Sequence, residues 1–185
     1  MNIRALLFLC MLVLVGCYSM PRPIPIFSQK YSYVPDENGV ICFEKYSPDN
    51  KYYELFVQRV FDKKEFILSR ASTELQAYEL EPGAYVIKAM RVSETISSGT
   101  APPTTNTRIF TLKQTPVTIK SGVVNYIGTI YVSADLGFFV FVAATIDIKS
   151  VDNTNRVQSL IQAPRSILKD LKFESNFINI QWEKE

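Results

Sequence analysis

The stretch that decides the fold covers residues 75–92 and reads LQAYELEPGAYVIKAMRV. Pro82 and Gly83 lie at its centre. Proline presets φ near about −65° and glycine accepts a positive φ, which are the requirements of a type II turn. Beyond this turn, Tyr85 and Ile87 begin an alternation of apolar side chains with the two-residue period of a β-strand. The stretch therefore predicts two strands joined by a hairpin or by a tight corner.

Short segments with the same character follow one another along most of the chain. They are rich in aromatic and β-branched residues, are separated by turn residues, and read GVICFEKY, YYELFVQRVF, EFILSR, LQAYEL, AYVIKAMRV, RIFTLKQ, VTIKSG, VNYIGTIYVS and FFVFVAATIDI. Because no long helical segment lies between them, they predict a mainly β fold, an antiparallel β-sandwich. The last of them, residues 138–148, is the most apolar and predicts the central strand.

Three further segments surround or follow these strands. The stretch VDNTNRVQSLIQAP, residues 151–164, predicts one short C-terminal helix, because Asn153 or Thr154 can cap it and its apolar residues fall at helical spacing. The stretch FINIQW, residues 177–182, predicts a last strand. The polar residues 93–107 are expected to form a long connection without structure of its own, either a mobile loop or a contact surface.

The N-terminal segment has the order of a secretory signal peptide. Arg4 is followed by an apolar run over residues 5–15 and then by the small residue Gly16. This run is shorter than the roughly 20 apolar residues that a membrane-spanning helix needs. We therefore expect residues 1–16 to be a signal peptide that is removed from the mature protein.

The end of this segment carries a more specific pattern. Leu14, Val15, Gly16 and Cys17 resemble the lipobox of bacterial lipoproteins. The resemblance implies cleavage between Gly16 and Cys17, a diacylglycerol on the Cys17 sulfur and an acylated N-terminus that binds the protein to a membrane. The residue after the cysteine is Tyr18 rather than aspartate, which in this family favours the periplasmic face of the outer membrane if the organism has one. The alternative is an ordinary signal peptide followed by an incidental cysteine.

The mature chain divides into a tether and one domain. Prolines at positions 21, 23, 25 and 35 favour an extended backbone. We therefore interpret residues 17–35 as the lipidated cysteine and a Pro-rich tether, with an N-terminal edge strand over residues 26–34 as the alternative. Residues 36–185 are expected to form a single β-sandwich domain, since their length suits one hydrophobic core.

Composition argues against nucleic-acid binding and against an intramolecular disulfide bond. The formal net charge is +2 for the whole chain, so there is no basic footprint for nucleic acid. If residues 1–16 are removed and Cys17 is acylated, Cys42 is the one thiol that remains, and no intramolecular disulfide can form. We expect Cys42 to be a buried core thiol; a reactive or intermolecular thiol is the alternative.

Catalytic motifs are missing from the sequence. The chain contains no histidine, which excludes a Ser-His-Asp or Cys-His centre, and its donors do not form a usual zinc ligand set. Ser166 and Lys169 match the isolated pattern Ser-x-x-Lys, but the other motifs of penicillin-recognising enzymes do not accompany it. The sequence therefore predicts no catalytic residue, no cofactor and no metal site.

The turn and the strands around it resemble a known module. A strand that ends in Leu-x-Pro-Gly-x-Tyr, followed by an alternating strand and later by a glycine and a Tyr-containing strand, occupies residues 74–132. This pattern is similar to the transthyretin-like or prealbumin-like β-sandwich modules of many bacterial lipoproteins. The resemblance implies a fold and, by itself, no activity.

These observations lead to one expected function and two alternatives. The expected function is a non-enzymatic, lipid-anchored module that binds or scaffolds another protein of the cell envelope. The first alternative is an envelope enzyme that acts on cell-wall or glycan material through the carboxylates of Glu79, Glu81 or Asp147, which would require two acids about 5 to 9 Å apart. The second is a carrier in which Phe138 to Phe141 line a cavity for an apolar ligand.

Overall fold

A computed structural model of the protein describes residues 21–28, 33, 37–47, 51–68, 75–96, 103–136 and 145–182. These residues form two β-sheets that pack face to face, with one short helix on the outer side of one sheet. The prediction of a mainly β sandwich with one short helix is therefore confirmed. Within these ranges, no helix has the length and apolarity needed to cross a membrane.

Four strands lie on one side of the central core and five on the other. Their bounds are β1 Gly39–Tyr46, β2 Tyr52–Arg59, β3 Glu65–Leu68, β4 Leu75–Leu80, β5 Gly83–Ile96, β6 Thr104–Ile119, β7 Val123–Asp135, β8 Thr145–Val151 and β9 Lys172–Ser175. One sheet, the antiparallel sheet, has the order β3-β2-β5-β6. The other, the mixed sheet, has the order β4-β1-β7-β8, with β9 also on β7. Because β1 and β9 both run parallel to β7, the expected antiparallel arrangement holds for one sheet only.

The Pro82-Gly83 turn is a corner between the two sheets. It joins β4 of the mixed sheet to β5 of the antiparallel sheet, so the corner is the correct alternative and the hairpin is wrong. Gly83 has a φ of +152°, which L side chains rarely adopt. That angle is wider than the roughly +80° of a type II turn. The hydroxyl of buried Tyr85 donates a hydrogen bond to the Glu81 carbonyl at 2.7 Å, which ties the two sides of the corner together.

The mixed sheet is buried on its inner face and on part of its outer face. The inner side chains of β1, Ile41 and Phe43, belong to the central core between the sheets, whereas its outer side chains, Val40 and Cys42, belong to a second cluster. We call this second cluster the outer core. Strands covered on both sides read as nearly continuous apolar runs, which explains the sequences GVICF in β1 and VVNYIGTI in β7.

The helix supplies one part of the outer core. Helix α1 spans Thr154–Ile161, which confirms the predicted helix; Asn153 is at the N-cap position, but its side chain makes no capping hydrogen bond. Val157 and Ile161 are completely buried against the mixed sheet, and Leu160 is half-buried. Leu168 and Leu171, which follow the helix, extend the same cluster.

Residues 21–27 supply the other part of the outer core, in a stretch that was expected to be a tether. Residues 21–27 lie along the edge strand β4: the Ile24 amide donates to the Ala77 carbonyl at 2.9 Å and the Glu79 amide donates to the Arg22 carbonyl at 3.0 Å. Ile24 and Ile26 are buried, while Pro23 and Pro25 are exposed. Proline is tolerated on an edge because its missing N–H is not needed there. The packed domain therefore includes residues 21–27, and the expectation that they are a tether is wrong.

The antiparallel sheet contains a longer hairpin than the sequence predicted. The segments RIFTLKQ and VTIKSG are one strand, β6, in which Pro116 is accepted because β6 lies at the edge of the sheet. Much of the stretch 93–107 is also paired, with Ser93 opposite Thr107 and their hydroxyl oxygens 3.0 Å apart. The expectation of a long unstructured connection is therefore wrong for the paired residues, and residues 97–102 lie outside those described.

Two strand predictions near the C-terminus also need correction. The predicted central strand, residues 138–148, is described only from Thr145 onward, where it belongs to β8 at the edge of the mixed sheet; β7 is the central strand. The stretch FINIQW is not a strand but makes a single bridge between Leu112 and Trp182. Its side chains Ile178 and Ile180 are nevertheless buried in the central core, and β9, just before it, was not predicted.

We predict that the packing of residues 21–27 stabilises the domain. Replacing Ile24 or Ile26 with alanine should lower the free energy of unfolding by about 2 to 5 kcal/mol, the usual cost of truncating a buried isoleucine. Urea unfolding of the mature chain measures this change. The matched control is Pro25→Ala, an exposed position between them, which should change the free energy by less than about 0.5 kcal/mol. Equal effects at all three positions would show that the segment is not packed.

Candidate functional site

The outer face of the mixed sheet has a covered half and an open half. Around the start of β1, it is covered by helix α1 and residues 21–27, which form the outer core. Towards the end of β1, Tyr46 is exposed, as is Tyr131 on β7. A set of polar side chains lies at the boundary between the two halves.

A bulge in β7 places these polar side chains on the outer face. Tyr126 and Thr129 both belong to this face although they are three residues apart, because the pairing of β7 with β1 shifts in register between Cys42 and Glu44. Gly128, with a φ of +123°, lies within this bulge, and a Cβ atom there would be 3.1 Å from the Phe177 ring. Glycine therefore allows both the left-handed backbone and the close contact of the ring.

Glu44 is the charged centre of the boundary. Its side chain is only 9% exposed, and its carboxylate accepts hydrogen bonds from the Thr129 hydroxyl at 2.6 Å and from the guanidinium of Arg156 on helix α1. Asn153 donates to the same Thr129 oxygen at 2.9 Å. The Tyr126 hydroxyl lies 2.9 Å from that oxygen, and burial raises the pKa of Tyr126. A buried carboxylate needs such partners, so this network holds helix α1 to the sheet.

A cleft opens beside this network. It has a volume of about 630 Å³ and is lined by Glu44 and Arg156, by residues 24–28, and by Leu75 and Leu160. The guanidinium of Arg165 lies over the Phe27 ring, 5.2 Å from its centroid. The cleft thus combines apolar walls with a charged pair whose hydrogen bonds are already made within the protein.

The open half carries a second concavity, which we call the tyrosine groove. It has a volume of about 340 Å³ and is lined by Tyr46, Tyr131, Val132, Ser133, Asp147, Lys149 and Val151. The rings of Tyr46 and Tyr131 are 5.2 Å apart and tilted by 52°, and the two residues are 47% and 37% exposed. Paired aromatic rings with this much open surface, beside an acid and a base, are typical of protein recognition surfaces.

Asp147 does not share a site with Glu79, and Glu79 and Glu81 have separate partners. Glu79 accepts a hydrogen bond from Asn38 at 3.0 Å and lies 3.7 Å from Arg22, whereas Glu81 is bound by Arg59. Asp147 lies on β8, at the opposite edge of the mixed sheet from the β4 strand of Glu79. Three strand spacings of about 4.8 Å put these two strands about 14 Å apart, which exceeds the separation of paired catalytic carboxylates.

The structure describes Cys42 and Ser166 but not the lipobox residues or the phenylalanine-rich stretch. Cys42 is completely buried in the outer core, as expected, and burial followed by the nearby Glu44 carboxylate raises the pKa of its thiol far above the ordinary value. Ser166 is also buried, and its hydroxyl accepts a hydrogen bond from the Leu168 amide at 3.2 Å, a structural role in a turn. Gly16, Cys17 and the residues Phe138 to Phe141 lie outside those the structure describes.

The sequence analysis missed Glu44, Arg156 and the two tyrosines. One signal was present: in GVICFEKY, Glu44 follows Val40 and Cys42 on the same side of the strand, and an acid on an apolar face requires a partner. Nothing in the sequence identified that partner, because Arg156 is 112 residues further along the chain. In the described ranges, no group of three or more cysteines, aspartates or glutamates is placed to hold a metal ion.

Comparison with known proteins adds no relative. No family model, no curated protein and no solved structure matches this chain.

We predict an energetic coupling between Glu44 and Arg156. Arg156→Met should cost about 1 kcal/mol more in the wild-type chain than in the Glu44→Gln variant, since the methionine leaves a buried carboxylate without its cation. The expected value is modest because Arg156 is 60% exposed to solvent. Urea unfolding of the four proteins measures it. In the control cycle, Arg165→Met with Glu44→Gln should be additive; a Glu44–Arg156 cycle that is equally additive would contradict the coupling.

Proposed function

We propose that this chain is a lipoprotein of the cell envelope, anchored through Cys17, whose domain is a non-enzymatic module that binds another envelope protein at the tyrosine groove. The Leu14-Val15-Gly16-Cys17 pattern supports the anchor. If the organism is diderm, the outer membrane facing the periplasm is the favoured location. A diacylated cysteine anchors a protein stably without any spanning helix, because each buried methylene contributes about 0.8 kcal/mol.

The single observation that carries the binding function is the exposed pair Tyr46 and Tyr131. Elsewhere on the outer face, the apolar side chains of β1 and β7 are covered by helix α1 and residues 21–27. The two rings remain open beside Ser133, Asp147 and Lys149. Tyrosine combines a large apolar area with a hydroxyl that can form hydrogen bonds, and it is enriched among the residues that dominate binding energy at protein interfaces.

The carboxylate enzyme is less well supported. Glu79 and Glu81 are each bound to a different arginine, and Asp147 is on the far edge of the mixed sheet. The absence of histidine from the sequence removes the most common general base. A binding module needs none of these groups to be free.

The anchor is tested by metabolic labelling with a fatty-acid analogue. The wild-type chain should incorporate the label and Cys17→Ser should not, because the serine cannot form the thioether to diacylglycerol. Cys42→Ser is the matched control and should be labelled like the wild type, since Cys42 is buried in the folded domain. Equal labelling of wild type and Cys17→Ser would show that Cys17 is not the acylation site.

The groove is tested by crosslinking in intact envelopes of the native organism. A protein crosslinked to the wild-type chain should be recovered at least tenfold less with Tyr46→Ala or Tyr131→Ala, since hot-spot residues contribute about 2 kcal/mol or more and about 1.4 kcal/mol already corresponds to tenfold. Ile109→Ala is the matched control, because Ile109 is an exposed apolar residue on the antiparallel sheet. No crosslinked protein, or equal recovery with all variants, would contradict binding at the groove.

A further inference from the structure

The loop between β2 and β3 presents an apolar side chain directly to solvent. Phe61 is 94% exposed, more than any other large hydrophobic residue in the part of the chain that the structure describes. Val60 beside it is 40% exposed. We call residues 60–64 the β2–β3 tip. An exposed phenylalanine at the tip of a hairpin loses favourable burial unless another surface covers it.

Hydrogen bonds to Asp62 brace the tip. The Arg59 guanidinium donates to both carboxylate oxygens of Asp62, at 3.0 and 2.5 Å, and the Lys64 amide donates to Asp62 at 3.1 Å. Arg59 beside it holds the pKa of Asp62 well below its usual range, so the pair stays charged. Lys63 adopts a φ of +61°, a left-handed conformation that completes the turn. The loop therefore projects Phe61 without first having to be ordered.

The β2–β3 tip contains two basic side chains and one acidic side chain. The acid of the tip, Asp62, is neutralised by Arg59, which also binds Glu81. Lys63 and Lys64 follow immediately and are exposed, and the Lys64 ammonium lies 5.2 Å from the centroid of the Phe66 ring. A phenylalanine followed closely by two lysines is suited to the boundary between anionic headgroups and acyl chains, where an apolar ring enters and the ammonium groups stay at the surface.

Residues 21–27 enter the domain at the same end as the β2–β3 tip. They run antiparallel to β4, with Pro23 opposite Tyr78, so the chain from Ile24 back to Pro21 leads towards the corner at residues 81–83. That corner contacts the tip, since the Val60 amide donates to the Ala84 carbonyl at 2.8 Å and Arg59 binds Glu81.

The distance from Pro21 to the expected anchor is short. Cys17 precedes Pro21 by four residues. An extended chain covers at most about 3.6 Å per residue, so Cys17 lies within about 14 Å of Pro21. A lipid on Cys17 would therefore hold the corner end of the sandwich, and the β2–β3 tip with it, close to the membrane surface.

We propose that the β2–β3 tip is a second membrane contact, in which Phe61 enters the interfacial layer and Lys63 and Lys64 bind anionic phospholipid headgroups. This inference rests on the proposed anchor at Cys17. It also orients the domain. Tyr46 is at the end of β1 opposite Gly39, which pairs with Leu80 near the corner, so the tyrosine groove faces away from the membrane.

Quenching by brominated lipids tests the depth of the tip. The lipidated mature protein with Phe61→Trp and Trp182→Phe is reconstituted into vesicles of phosphatidylglycerol and phosphatidylethanolamine with brominated acyl chains. The fluorescence of the indole at position 61 should fall at least twofold relative to unbrominated vesicles. Ile109→Trp with Trp182→Phe is the control and should not be quenched, because Ile109 is exposed and lies ten residues along β6 from Ile119, the residue paired with Gly83 at the corner.

Further measurements test the role of the two lysines and the alternative that Phe61 contacts a protein. Lys63→Glu with Lys64→Glu, or vesicles of phosphatidylcholine alone, should reduce the quenching at position 61. An unquenched indole at position 61, or equal quenching at positions 61 and 109, would overturn the proposal. A photocrosslinker at position 61 that joins to a protein rather than to lipid in intact cells would overturn it in favour of a protein contact.

The intact mass of the same preparation separates this inference from the proposed anchor. A chain that carries lipid on Cys17 but leaves the indole at position 61 unquenched overturns the membrane contact of the tip alone. A chain without lipid overturns the anchor, and with it the geometric argument that brings the tip to the membrane.

Discussion

The burial of β1 and β7 on both faces is the constraint on which the rest of the structure depends. Both strands carry nearly continuous apolar side chains, and a sheet covered on one face only would leave the apolar side chains of its other face exposed to water. The antiparallel sheet covers the inner face, and helix α1 together with residues 21–27 covers the outer face. The protein is therefore a sandwich with a partial third layer, and the Pro-rich segment near the N-terminus is part of that layer.

The end of the third layer leaves part of the outer face open. Where helix α1 stops covering the mixed sheet, Glu44 remains buried and is neutralised by Arg156, with Thr129 completing its hydrogen bonds. Beyond this boundary, the outer face carries Tyr46 and Tyr131 in the open. The same arrangement places the corner with the β2–β3 tip at one end of β1 and the tyrosine groove at the other. A membrane-facing end and a partner-facing end would then be separated by the length of one strand, about 23 Å.

The sequence predicted most strands and the helix correctly, and the errors have identifiable physical causes. The segments RIFTLKQ and VTIKSG were predicted as separate strands, but an edge strand does not need the N–H that Pro116 lacks, so β6 continues through it. The most apolar segment was predicted to be central, but apolarity reports burial of side chains and not the position of a strand in a sheet. Of the candidate site, only the presence of an acid on the apolar side of β1 was visible, because the bulge at Gly128 shifts the alternation of β7 and brings Thr129 to the outer face.

By itself the sequence determined the local properties of the chain: the strand-forming segments, the turn at Pro82-Gly83, the helix after Asn153, and the exclusion of histidine chemistry. These depend on φ preferences, side-chain periodicity and composition, which act over a few residues. Only the tertiary structure decided which sheet each strand joins, that residues 21–27 pack on β4, and that Glu44 meets Arg156 and Tyr46 meets Tyr131. Alternation tells which side chains are buried but not against what, and that choice is made by pairing between strands and by packing between segments far apart in the chain.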